Sequence, residues 1–334
     1  MNCDAFRLMR ALILAAIAVA MAPGIACRGD DTAQPAAPKA PAATEGEFQS
    51  SVHEMAAGLK HENEATRKAM IARLVAEGDA LVEAIATELA RVDSESAFRG
   101  HAVRVLGAIG TPRARQLLKE LALGQHDNNN RQFQRSAAAV YLTLDITPRD
   151  VAPLLAVTDA SVVHLAIMHL SEKPLDASIA RSVGECLKSA DLVTRMVAAE
   201  VVGADRSGAF GKQATVLLAD AADNAMNSPN ADAMIRGTSQ KQWEHEMNAF
   251  VSALISMSAS TEELEALAEN RTGMALDALT VALAHRHHAP AREGLLRIVA
   301  NPERGMMRAW AAGGLGYVGQ AGDLAEPAGH ALNL

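Results

Sequence analysis

The chain has 334 residues, only 3% of them aromatic, with a formal net charge of −8 and three cysteines. Sandwiches and barrels draw on Tyr, Phe, Trp and β-branched residues, so this composition argues against a β architecture and for helices packed closely through small apolar side chains. The acidic balance excludes the concentrated basic face that nucleic acid demands, and three cysteines (Cys3, Cys27 and Cys186) make neither a disulfide framework nor a zinc site.

Taken from the start, Arg7 and Arg10 precede an apolar run from Ala11 to Ala22, broken by Pro23-Gly24. Positive charge, apolar core and small residues in that order are a secretory signal, expected over residues 1–26. The run falls short of the ~20 apolar residues that a spanning helix needs. Gly24 and Ala26 satisfy the small-x-small rule for ordinary cleavage. Ile25-Ala26-Cys27 also resembles a bacterial lipobox, whose Cys becomes the lipidated first residue, although Gly24 stands where Leu is usual. The Pro/Ala-rich stretch that follows, with Pro35, Pro38 and Pro41, favours the lipoprotein: residues 27–47 read as a lipidation site and structureless tether.

Residues 48–334 read as one helical repeat domain. Met70, Ile71, Leu74, Val75 and then Leu81, Val82, Ile85, Leu89 keep helical spacing on either side of a break at Glu77-Gly78-Asp79. A helix from Phe98 to Leu106 is followed by Gly107-Ala108-Ile109-Gly110. Thr111-Pro112 then opens a second helix, Thr as N-cap and Pro in the first turn, which carries Ala114, Leu117, Leu118 and Leu121 inward. Thr147-Pro148-Arg149 repeats Thr111-Pro112-Arg113. First helices are expected near Thr66, Phe98, Gln134, Val162, Val193, Met247, Gly273 and Met307, roughly 30 residues apart except across a wide interval before Met247. There Asn224 to Asn230 reads as a long loop or degenerate repeat. Cys186, on an apolar stripe with Ile179, Val183 and Leu187, is expected to be a buried, inert thiol.

The recurring unit is explicit in three places. Arg99 leads Ala102-Val103 and Leu106-Gly107; Arg195 leads Ala198-Ala199 and Val202-Gly203; Arg308 leads Ala311-Ala312 and Leu315-Gly316. These positions share one helical face, and the glycine is expected to stop the helix. With Gly-x-[Ile/Val]-Gly and a Pro-started second helix after it, the unit resembles the short form of the HEAT repeat, the variant found in phycobilin lyases. Tetratricopeptide repeats would bring an aromatic signature that is missing. The resemblance implies an all-α fold, an α-α superhelix. It also implies a concave face lined by the second helices, whose non-core positions Gln116, Glu120, Arg181, Glu185, Gln213 and Arg297 are the candidate contacts for a protein or peptide partner.

Candidate chemistry is sparse. His285-Arg286-His287-His288 is the one cluster of potential ligands; without an adjacent Asp, Glu or Cys it reads as a solvated turn, with metal binding through His285, His287 and His288 as the alternative. Glu244-His245-Glu246 lacks the second His of a helical zinc motif and reads as a solvated helix face. His126-Asp127-Asn128-Asn129-Asn130 reads as an inter-repeat loop. Gly313, Gly314, Gly316 and Gly319 have no preceding strand and coincide with the repeat's own end, which argues against a phosphate cradle. No nucleophile elbow, P-loop or haem-attachment motif occurs. Trp243 and Trp310 are the only tryptophans; Trp310 joins the candidate partner-binding residues.

These readings converge on a non-enzymatic interaction scaffold or adaptor, exported across the inner membrane and anchored in the bacterial envelope through Cys27, with no cofactor, no metal and no nucleic-acid partner. A lyase-like or cofactor-handling protein is the alternative. The last residues after Pro327 (Ala328, Ala331, Leu332 and Leu334) are apolar where a solenoid end should be polar, and are expected either to pack on another chain, a second copy or the partner, or to be a frayed or truncated terminus.

Overall fold

The computed structural model describes residues 64–90, 96–126, 130–227 and 240–320. The signal, the tether with Cys27 and the segment after Pro327 lie outside them. Among the described residues there are fifteen α-helices and no strand: an all-α solenoid.

First helices are α1 (Glu64–Ala76), α3 (Ser96–Ile109), α5 (Arg131–Tyr141), α7 (Ala160–Leu170), α9 (Leu192–Ala204), α11 (Gln240–Ser256), α13 (Gly273–Ala284) and α15 (Met307–Val318). Each packs on the next, giving one continuous layer. Second helices are α2 (Asp79–Leu89), α4 (Pro112–Ala122), the short α6 (Pro148–Val151) continued by a 3-10 turn over Ala152–Ala156, α8 (Ala177–Cys186), α10 (Gln213–Asn227), α12 (Thr261–Ala268) and α14 (Ala291–Ala300). No segment alone buries its apolar stripe; stacking closes one core from Leu74 to Leu315.

Local chemistry sets the boundaries. Thr111 accepts the N–H of Ala114 at 3.3 Å ahead of Pro112, and Asp150 accepts both the N–H and the hydroxyl of Thr147 ahead of Pro148. Asp159, Asp176 and Asp191 cap α7, α8 and α9, so each helix start satisfies amides that would otherwise be orphaned. Asn130 caps α5. Gly78 breaks α1 from α2 at φ 62°. Ala114, Leu117, Leu118 and Leu121 are buried, as their spacing requires.

Two expectations fail here. The glycine eight residues after the arginine does not stop the helix: Gly107 and Gly203 lie inside α3 and α9, and Gly316 inside α15. Eight residues turn the chain to about 80° from its start, still on the packing face, and at Gly107 and Gly203 a neighbouring helix comes close, through Val140 of α5 and Ala253 of α11. α3 stops instead at Gly110, whose φ is 60°. Of the long loop or degenerate repeat expected over Asn224–Asn230, the loop reading fails as far as Asn227, where the chain is helical because α10 is held by neighbours beyond its own repeat; residues 228–230 lie outside the described residues. α10 packs on α9 and α11 and also reaches α13. Asp223 Oδ1 accepts the N–H of Ala275 in the first turn of α13 at 3.1 Å, and Arg271 bridges Asp220 at 2.6 Å and Asp223 at 3.7 Å.

Candidate interaction surface

The layer of second helices carries the sequence-predicted contact residues. Gln116, Arg181, Glu185, Gln213 and Arg297 are exposed and Glu120 is half-buried. They are distributed over α4, α8, α10 and α14 along the layer. Gln116 Nε2 donates to Glu120 Oε1 at 2.8 Å, and His126 stands 3.3 Å from Glu120 Oε2. Burial pushes the Glu120 carboxyl up, but these two partners outweigh it and hold it below its ordinary value. Lys188 Nζ lies 2.9 Å from Glu185.

Most charges at the repeat junctions are spent on neighbours. In the second layer, Arg113 reaches back to Glu83 at 2.6 Å, Lys119 forward to Asp150 at 3.6 Å, and Arg149 to Asp176 at 3.1 Å. In the first layer, Arg135 pairs with Asp159 at 3.0 Å, His164 Nε2 lies 2.8 Å from Asp191 Oδ2, and Arg195 forks onto Glu246. All are inter-repeat ties: those of the second layer join successive second helices, and those of the first layer read the N-terminal cap or inner face of the next first helix. Glu246 is 1% exposed. The expectation of a solvated face at Glu244-His245-Glu246 therefore holds for His245, which is exposed, and fails for Glu246. A buried carboxylate needs a charged partner, and the partner lies 51 residues away in sequence.

Around α15 the side chains form an aromatic cluster. Trp310 is half-buried; its Nε1 donates to Asn248 Oδ1 at 2.6 Å and its ring meets His285 edge-on at 6.3 Å. Tyr317 packs on His285 at 4.5 Å and on His287 at 5.5 Å, and stays 48% exposed. Trp243 lies in α11 and its side chain is outside the described residues.

The histidine turn is solvated as expected at His287, which is exposed, whereas His285, Arg286 and His288 are half-buried. Burial pushes His285 down, with the neighbouring His287 adding to it. Arg286 donates to the carbonyl of Met257 at 2.7 Å and so closes the C-terminal end of α11. His287 takes φ 60°, the left-handed position that Gly124 fills after α4. His288 Nε2 lies 3.4 Å from Glu265. Two of the imidazoles, His285 and His287, thus share Tyr317, while His288 turns to Glu265. Among the described residues no three His, Cys, Asp or Glu side chains are placed to hold a metal ion. Tyr317 escaped the sequence reading, although it follows Gly316 directly in the motif.

Cys186 is buried and its thiol is pushed up to about 11, first by burial and then by Glu185, as an inert thiol should be. Asp277, nearly buried on α13, is raised by burial against the opposing charges of Arg304 and Arg297; Arg304 Nε stands 2.9 Å from it. No helix among the described residues is long and apolar enough to cross a membrane.

Residues 52–143 match the family model for HEAT repeats. The match runs from before α1 through α5 and supports a HEAT-repeat protein. No curated protein matches the chain.

Proposed function

We propose that this chain is a non-enzymatic scaffold or adaptor of the bacterial cell envelope, binding a protein or peptide along its second-helix layer and held at a membrane by lipid on Cys27. The observation that carries the binding part is the division of labour among its charges. Arg113, Arg135, Arg149 and Arg195 tie repeat to repeat, while Arg181, Gln213 and Arg297 stand exposed on the second helices α8, α10 and α14. Repeat arrays present such extended faces to partners. The anchoring part rests on the charged, apolar and Cys27-terminated order of the first residues, with the Pro/Ala-rich tether after it.

Two measurements test the two parts separately. Affinity capture of the full chain from native envelopes, after cross-linking, should recover a partner that Arg181→Glu with Arg297→Glu loses. Recovery unchanged by the pair would remove the second-helix layer from consideration. For the anchor, Cys27→Ser should release the protein from the membrane fraction or stall its maturation; an unmodified Cys27 thiol in mass spectra of the native protein would overturn lipidation.

A further inference from the structure

Charge is divided between the two layers. The first helices α3, α5 and α7 contain no Asp or Glu, yet carry Arg99, Arg104, Arg131 and Arg135 with His101, His164 and His169. Before them, α1 holds Arg67, Lys68 and Arg73 against one acid, Glu64. The second helices α2, α10 and α12 are the reverse. They hold Asp79, Glu83 and Glu88, then Asp220 and Asp223, then Glu262, Glu263 and Glu265, without a Lys or Arg. A chain of net charge −8 thus keeps one side of its first repeats basic. Arg104 and Arg131 are exposed, and among the described residues neither enters an ion pair.

Apolar side chains continue the layer beyond the arginines. Leu165 and Met168, three apart on α7, are half-buried. On α9, Val193 is 47% exposed and Met196, three residues on, is half-buried. Residues three apart share a helix face, and these lie off the buried positions of their helices, Val163, Ala166 and Ile167 on α7 and Ala198 and Val202 on α9. The side of a helix turned from the core is normally charged or polar; α7 and α9 place aliphatic and thioether groups there.

We infer that this side of the first-helix layer, Arg104 and Arg131 with Leu165, Met168, Val193 and Met196, docks on an anionic phospholipid surface, deepening the membrane part of the proposed function, on which the inference rests. Charge selects the occupant. Arginines beside an anionic leaflet are drawn to its phosphates, and first helices without a carboxylate offer nothing to repel them. Apolar groups next to such arginines enter the boundary between headgroups and acyl chains, as on helices that lie along a bilayer. The basic helices α1, α3 and α5 are also those nearest Cys27 along the chain. An anchor there raises the concentration of this face at the headgroups, so that a few arginines and aliphatic groups suffice. The acid-bearing second helices are left for the partner.

The test uses the processed full chain, purified from the envelope and mixed with vesicles of phosphatidylethanolamine and phosphatidylglycerol. Val193→Cys carrying an environment-sensitive fluorophore should shift to the blue and be quenched by nitroxide-labelled lipid. Val216→Cys, an exposed site on α10, should do neither, with the unsubstituted chain as background. Arg104→Ala with Arg131→Ala should lower the ratio of docked to undocked protein about thirty-fold, since each basic group at an anionic surface contributes roughly five-fold. The helical circular dichroism should stay intact. Met168→Cys is a second reporter should Val193→Cys lower the melting temperature. No quenching at either reporter, as much at Val216→Cys, as much on phosphatidylcholine vesicles, or quenching that survives loss of both arginines overturns the inference. A blue shift produced only by envelope proteins would assign the face to an acidic protein and overturn it too. Flotation and mass spectra of the same samples read the anchor separately. A lipidated chain that floats with the vesicles without quenching keeps the anchor and loses the face; quenching by a chain with unmodified Cys27 does the opposite.

Discussion

Gly203→Ala is the sharpest probe of how the repeats are joined. In an exposed helix interior, replacing Gly by Ala stabilises by about 0.5–1 kcal/mol, because the unfolded chain loses freedom and the helix gains propensity. At Gly203 the added methyl would lie 2.5 Å from Cα, 2.7 Å from Cβ and 2.8 Å from the carbonyl oxygen of Ala253. Two of those three atoms are backbone, so no rotamer change relieves the clash; α9 and α11 must separate by about 1 Å to restore van der Waals distance. Overpacking of this kind costs about 1–3 kcal/mol, which outweighs the propensity gain over most of its range. Gly107→Ala meets one methyl of Val140 at 2.4 Å, which the valine can withdraw by rotating, so its loss should be smaller. Gly100→Ala, also in α3 with nothing within 4 Å among the described residues, should show the bare gain. Urea titrations of the three variants beside the parent, with melting shifts of about 2–4 °C per kcal/mol as a check, should rank stability Gly100→Ala above parent, then Gly107→Ala, then Gly203→Ala. A Gly203→Ala protein as stable as Gly100→Ala would mean that α9 and α11 do not meet at this glycine, and the assignment of the packing face would go with it.

Ala102→Leu should destabilise by ~1–3 kcal/mol, since Ala102 is fully buried in the core; an unchanged melting curve would reject that packing. Glu246→Ala should cost about 3–5 kcal/mol by stranding Arg195, whereas Arg195→Met with Glu246→Leu should recover much of it; a double variant as unstable as the single would count against a mere desolvated pair. Two carboxyls should respond to pH with opposite signs. Burial pushes Asp159 up, but Arg135 and the amides of Val162 and Ser161 outweigh it and hold it below its ordinary value. Its contribution is therefore present above about pH 4 and lost as pH falls through the lowered value, and Asp159→Asn should lose less stability on acidification than the parent. Asp277 is raised by burial, so its contribution is full below about pH 4 and lost as pH rises through the raised value. Asp277→Asn should gain on the parent between acid and neutral pH; parallel curves would refute the shift.

Much of the architecture was legible because hydrophobic period and punctuation act locally. Seven of the eight first helices begin within three residues of the positions read from spacing, and Thr111-Pro112 and Thr147-Pro148 open α4 and α6 as their chemistry dictates. α11 begins at Gln240, seven residues before Met247, because its first turns are polar and carry no apolar period. Glu246 is buried among them only through Arg195, a pairing invisible until the chain is folded. The glycines misled for a different reason: Gly is both a helix stop and a point of close approach, and only the neighbour decides which. The candidate surface was legible as a set of exposed positions, Gln116 to Arg297, since core periodicity leaves them over. What binds there was not, because an exposed polar side chain carries no record of its partner.

The brace from α10 to α13 changes how the molecule comes apart. In an array where each repeat touches only its neighbours, unfolding proceeds as a one-dimensional zipper, fraying unit by unit from either end. Asp220 and Asp223 reach past the α11–α12 repeat to Arg271 and to the first turn of α13, so three repeats share one set of ties. From α9 onward they should open as a single cooperative block, with amides of α10, α11 and α13 exchanging at a common free energy. α1 to α8 keep the graded, loosening behaviour of a simple stack.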